Sequence, residues 1–232
     1  MKSALKTTAG LLLAPAAAAG AWATAAAVVP VLARFDVTFP LLGGALAGLL
    51  LHLSGRGKRP YVAAHELTHA LAAVFSGVRV RKISVSRKSG YVLLDSTNAF
   101  ISLAPYFIPF YTLAAGAAYA LAGFFWNVAP FRPWFLAAAG FTLAFHLLHT
   151  ADVLSGPVQS DLKKAGGPVF SLPLLVLLNC LGVAAALKLL FPGLIGLKPL
   201  AARVLAAQGA VYRHIWNGLL YAVNTARIYI GS

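Results

Sequence analysis

Long apolar runs, each near the length that crosses a bilayer, fill most of this 232-residue chain. Sixty per cent of its residues are hydrophobic and ten per cent are charged. That balance fits an integral membrane protein and not a soluble domain. Proline and glycine punctuate the runs at Pro40, Gly55, Pro60, Gly77, Pro130, Pro133, Gly156 and Gly167. Division at these breaks gives six expected membrane segments, at about residues 8–33, 37–53, 60–76, 98–126, 133–151 and 168–191. The first run outlasts a signal-peptide core, so it is expected as an uncleaved helix.

The net charge of +14 comes mainly from missing acids: only Asp36, Glu66, Asp95, Asp152 and Asp161 are acidic. Basic residues gather at segment ends, at Lys2 and Lys6, Arg56 to Arg59, Arg79 to Lys88, and Lys163 with Lys164. Helix flanks that meet anionic headgroups look like this. No basic soluble module exists to bind nucleic acid, so the lipid bilayer is the expected partner. Cys180 is the only cysteine, which excludes both a disulfide framework and a multi-thiolate metal site.

Residues 78–86 alternate β-branched with polar side chains, residues 87–90 read as a turn, and residues 91–94 resume an extended pattern. This is the one strand signal, a β-hairpin. Pro105 and Pro109 interrupt the fourth segment, as an ordinary kink or as a bend lining a cavity. From Lys198 to Ile230 the polar residues Lys198, Arg203, Arg213, His214, Asn217, Asn224 and Arg227 share one helical arc. A cationic amphipathic helix lying in the membrane interface is expected there, with docking onto a partner helix as the alternative. The expected fold class is therefore an all-α polytopic membrane protein: about six transmembrane helices, a small β-hairpin and a C-terminal amphipathic helix. Residues 1–57 would form two N-terminal transmembrane helices, residues 58–192 the membrane core, and residues 193–232 the interfacial helix.

Glu66 is the sole glutamate, and it lies in His65-Glu66-Leu67-Thr68-His69, the His-Glu-x-x-His signature of zinc hydrolases. A charge at the centre of a bilayer costs roughly 2.5–3.5 kcal/mol even on lenient scales, which argues for a chemical role. Histidines four apart present two imidazoles on one helix face, suited to two corners of a tetrahedral Zn2+ site. Glu66 points about 100° further round the helix. From there it can take a proton from a zinc-bound water as general base and return it to a departing amine. A catalytic zinc needs a third protein ligand and an open position. The candidates are Asp161, which follows the break at Gly156 and Pro157, and its competitors Asp152, His149 and His146.

The zinc-motif helix, the hairpin and the apolar helix that follows together resemble the site-2 protease family of intramembrane zinc metallopeptidases. The resemblance spans about residues 60–190. It implies a zinc metalloendopeptidase that hydrolyses peptide bonds in or near transmembrane segments of other membrane proteins. It also implies a third ligand from an aspartate on a broken later helix, which corresponds to Asp161 in Gln159-Ser160-Asp161-Leu162. Thr68 stands where the family often has glycine, and the family's usual Asn-Pro-Asp-Gly or Leu-Asp-Gly setting is absent around Asp161. The implied location is a bacterial cytoplasmic (inner) membrane, with the active site nearer the cytoplasmic face. The alternative expectation is a non-catalytic membrane protein that uses the same scaffold to bind metal or a helical partner.

Overall fold

The computed structural model describes residues 2–86, 89–191, 193 and 195–230. In chain order it contains α1 (Lys2–Leu32), α2 (Phe35–Leu53), α3 (Lys58–Phe75), β1 (Val80–Val85), β2 (Gly90–Leu94), α4 (Ala99–Leu103), α5 (Phe110–Gly123), α6 (Arg132–Ser155), α7 (Ser160–Ala165), α8 (Pro168–Leu190) and α9 (Leu197–Ile230). Short 3-10 turns lie at Ala104–Tyr106 and Ala129–Phe131. The architecture is predominantly helical, with one two-stranded antiparallel sheet among the described residues. The hairpin falls where the alternating pattern placed it, though the expected turn residues Arg87 and Lys88 lie outside the described residues.

Among the described residues four helices are long and apolar enough to cross a membrane: Ala4–Leu32, Phe35–Leu53, Ala129–Ser155 and Pro168–Leu190. A fifth results if the bent pair Ala99–Tyr106 and Phe110–Gly123 counts as one span. The third expected segment forms α3, but Lys58, Arg59 and Glu66 within its 18 residues keep it out of this set. Buried residues make up no more than 39% of any qualifying window. Trp22, Phe35, Phe75, Phe124 and Leu189 are likewise exposed. Apolar surface on that scale needs a non-aqueous cover, which is what a membrane protein finds in lipid.

The chain divides into two compact units, one of residues 31–171 and one of residues 1–30 with 172–232. In the second unit, Ala23 and Ala27 of α1, Ala184 of α8 and Leu200 of α9 form a core, with Val204 packed against it. The Tyr212 hydroxyl of α9 donates to the Leu12 carbonyl of α1. The expected C-terminal helix is present; Arg203, Arg213, Trp216 and Tyr221 are exposed along it. The side chain of Arg227 lies outside the described residues.

In the first unit α2 lies along α6 at very short range. A Cβ on Gly44 would sit 1.8 Å from the Ala137 carbonyl oxygen, and one on Gly140 2.0 Å from that of Leu41. Small residues let apolar helices approach until backbones touch, replacing side-chain bulk with dispersion contact. Only glycine fits there.

α3 stops at a glycine for a conformational reason. Gly77 has φ +69°, and the Gly77 and Val78 N–H groups donate to the Val74 and Ala73 carbonyls at 3.0 and 2.8 Å. That pair of hydrogen bonds is the Schellman cap, which needs the left-handed conformation that L side chains avoid. Val78 then packs on the core of Ala72, Ala73, Ile101 and Ala104. The hairpin therefore starts at once and folds back beside α3. Val80 pairs with Leu94 and Lys82 with Leu93, which leaves Arg81 as a bulge. The Arg81 guanidinium bonds the Asp95 carboxylate just beyond β2.

Candidate metal centre

His65 and His69 lie one turn apart on α3, with ring centroids 4.8 Å apart. Asp161, in the first turn of α7, comes to meet them. Its Oδ2 is 3.6 Å from His65 Nε2 and 3.5 Å from His69 Nε2. Ligand atoms about 2 Å from a common tetrahedral centre lie about 3.3 Å apart, so these separations fit one metal ion with a small contraction. All three donors fall within 4.8 Å of one another, and among the described residues no other His, Cys, Asp and Glu group does so. His65, His69 and Asp161 could thus hold a metal ion. Two imidazoles and a carboxylate suit zinc and neighbouring divalent transition metals.

Groups behind the donors support the same reading. His69 Nδ1 donates to the Ile101 carbonyl at 2.8 Å, which leaves Nε2 as the free nitrogen facing Asp161. The Ile101 N–H is taken by the Asn98 side chain at 2.8 Å, the N-cap of α4. In a continuing helix the Ile101 carbonyl would accept from residue 105. Residue 105 is proline and has no N–H. The backbone break therefore supplies the acceptor that orients His69, and the chain bends by 78° just beyond it.

Tyr106, 1% exposed, packs its ring edge-on against His65 at 5.2 Å. Its hydroxyl donates to Asp161 Oδ2 at 3.0 Å. Burial pushes the Asp161 carboxyl up, but the His65 and His69 imidazoles beside it outweigh that and hold it well below the usual carboxylate range. Asp161 is therefore an ionised donor, as metal binding requires.

Glu66 is 7% exposed and lies beside the trio without belonging to it. β2 crosses directly over it. A Cβ on Gly90 would lie 2.5 Å from Glu66 Cγ and 2.8 Å from Val62 Cγ1. Glycine at residue 90 is what allows the strand this close. A cleft of about 420 Å³ opens here, lined by all five β2 residues together with His65, Glu66, His69, Ser102, Asp161 and Lys164. Ser86 N–H donates to the Ser89 carbonyl at 2.8 Å. By the alternation of an antiparallel ladder, Gly90 and Val92 turn their N–H and C=O groups away from β1. Among the described residues β2 has no second neighbouring strand, so these backbone groups form a free strand edge on the side away from β1.

The other expected candidates go elsewhere. Asp152, with its side chain 68% exposed, pairs with His52 Nε2 at 3.3 Å. His149 stacks on Tyr61 at 5.1 Å and donates from Nδ1 to the Phe145 carbonyl at 2.9 Å. His146 is buried in α6 and lines a small cavity next to His65. The sequence reading missed Tyr106 and the Ile101 carbonyl. The proline four residues after Ile101 was the available signal for the latter. No family model matches the chain, and no curated protein or solved structure matches it.

Proposed function

We propose that this protein is a zinc-dependent intramembrane endopeptidase of the site-2 protease kind, acting on transmembrane or membrane-proximal segments of other membrane proteins. The observation that carries this is the meeting of His65, His69 and Asp161 beside Glu66, in a cleft that an edge strand also lines. Bound there, zinc would polarise the scissile carbonyl and lower the pKa of a water toward about 7.

The rest is the work of the chain. A substrate helix hides its amides in internal hydrogen bonds, so it must unwind before attack. The free N–H and C=O groups of Gly90 and Val92 can hold the unwound segment as an added strand. That places a peptide bond over Glu66. Glu66 takes a proton from the attacking water as the new C–O bond forms. It passes that proton to the amide nitrogen as the C–N bond breaks, releasing a carboxylic acid and an amine, between which the second proton of the water then transfers to give carboxylate and ammonium. Tyr106 and the Ile101 carbonyl keep Asp161 and His69 in place throughout.

In this reading α3 also lies in the membrane, which brings the membrane segments to six, and it is shielded by its neighbours where it carries polar groups. α9 lies at the interface, and the location is a bacterial cytoplasmic membrane. The decisive experiment is Glu66→Gln in the full chain with a co-expressed membrane-protein substrate. The variant keeps its zinc and loses cleavage. Cleavage that persists in Glu66→Gln, or a wild-type chain that cuts none of a panel of unstable transmembrane helices, contradicts the proposal and favours a non-catalytic metal-binding role.

A further inference from the structure

The two motif histidines are supported unequally. His69 has the Ile101 carbonyl behind it, whereas His65 Nδ1 is buried and has no hydrogen-bond partner among the described residues. Nε2 of His146, on α6, shares that condition, as does Nδ1 of His52, which does not line the cavity next to His65. His146 is 8% exposed, so water from outside does not satisfy it. Both His65 and His146 line one small cavity together with Tyr61, whose buried hydroxyl is also unpaired among the described residues, and with Pro105, Tyr111 and Phe145 among others. About 10 Å³ of it is open to the centre of a water molecule. That is room for a single water, and a buried water needs at least two polar partners. Two buried nitrogens left unpaired in one cavity are expensive and rare.

We infer that His146 is the outer partner of His65, joined to it by one buried water that accepts from His65 Nδ1–H and donates to His146 Nε2. The inference rests on the metal-site reading, because its effect is to fix which nitrogen His65 offers. With Nδ1–H committed, Nε2 is left facing Asp161 at 3.6 Å, as it is in His69. Each motif histidine then has an outer partner, one a backbone carbonyl and the other a water held from α6. His146 is a positioning residue; it touches neither metal nor substrate.

The test is zinc affinity of the purified full-length chain in detergent, by competition with a chromophoric chelator. Gln can present an acceptor near the Nε2 position, and Leu cannot. His146→Leu is expected to weaken zinc roughly 10- to 100-fold, while His146→Gln stays within about threefold of wild type. Thermal unfolding of the metal-free variants reads folding separately from affinity. If His146→Leu does not fold, His146→Asn replaces it, being polar but too short to reach. Equal loss in the long polar and the short or apolar variants overturns the inference, as does loss in none. A wild-type chain that binds no zinc overturns both this inference and the metal-site reading. Wild-type binding with an unchanged His146→Leu overturns this one alone.

Discussion

The Ile101 carbonyl oxygen lies 2.8 Å from His69 Nδ1, and it is free to do so because residue 105 is a proline. A helix-breaking residue thus becomes part of the candidate metal centre. The lost intrahelical bond is replaced by one that selects the tautomer of a ligand.

Pro105→Ala returns an N–H four residues after Ile101 and sets it in competition with His69. Zinc affinity should fall roughly 10-fold, the lower end for loss of an outer-shell partner. Pro109→Ala, one turn further on, serves as the control and should leave affinity unchanged. Chelator competition on both variants checks this.

The closeness of β2 to Glu66 gives a second prediction. Gly90→Ala forces a methyl to within 2.5 Å of Glu66 Cγ, so either the strand or the carboxylate must move. Overpacking of this kind costs about 1–3 kcal/mol. Because the atoms nearest that methyl belong to Glu66 and Val62 and not to the three metal donors, zinc content should stay near wild type while cleavage drops at least 10-fold. Metal analysis beside a cleavage assay separates the two effects.

Much of this site was legible because its geometry is local. Two histidines four apart must share a helix face, and Glu66 must stand beside them, whatever the tertiary fold. The end of α3 at Gly77 and the period change that follows were equally readable, since glycine's φ and a two-residue alternation are properties of short segments. What was not legible depends on how distant elements meet. Asp152 and Asp161 were rival donors in the sequence, and only the pairing of Asp152 with His52 removes the first of them from the site. Tyr106 belongs to no motif, and only the tertiary fold brings its hydroxyl to Asp161. α3 falls short of a membrane span on composition alone, because Lys58, Arg59 and the residues that carry the site displace apolar ones.

A pH effect follows from Asp161. Its carboxyl is held below the usual range, so its charged form favours the folded state. That contribution is fully present above about pH 4 and is lost as pH falls further. In metal-free protein, Asp161→Asn should therefore unfold at a lower temperature than wild type at pH 6. The gap should narrow below about pH 4. Melting curves across that range, recorded in chelator, provide the check.

The most direct measurement is the metal content of the purified full-length chain and two aspartate variants, by elemental analysis. The account predicts close to one zinc per chain in the wild type and in Asp152→Ala, and close to none in Asp161→Ala. Full metal content in Asp161→Ala, or loss confined to Asp152→Ala, would contradict it.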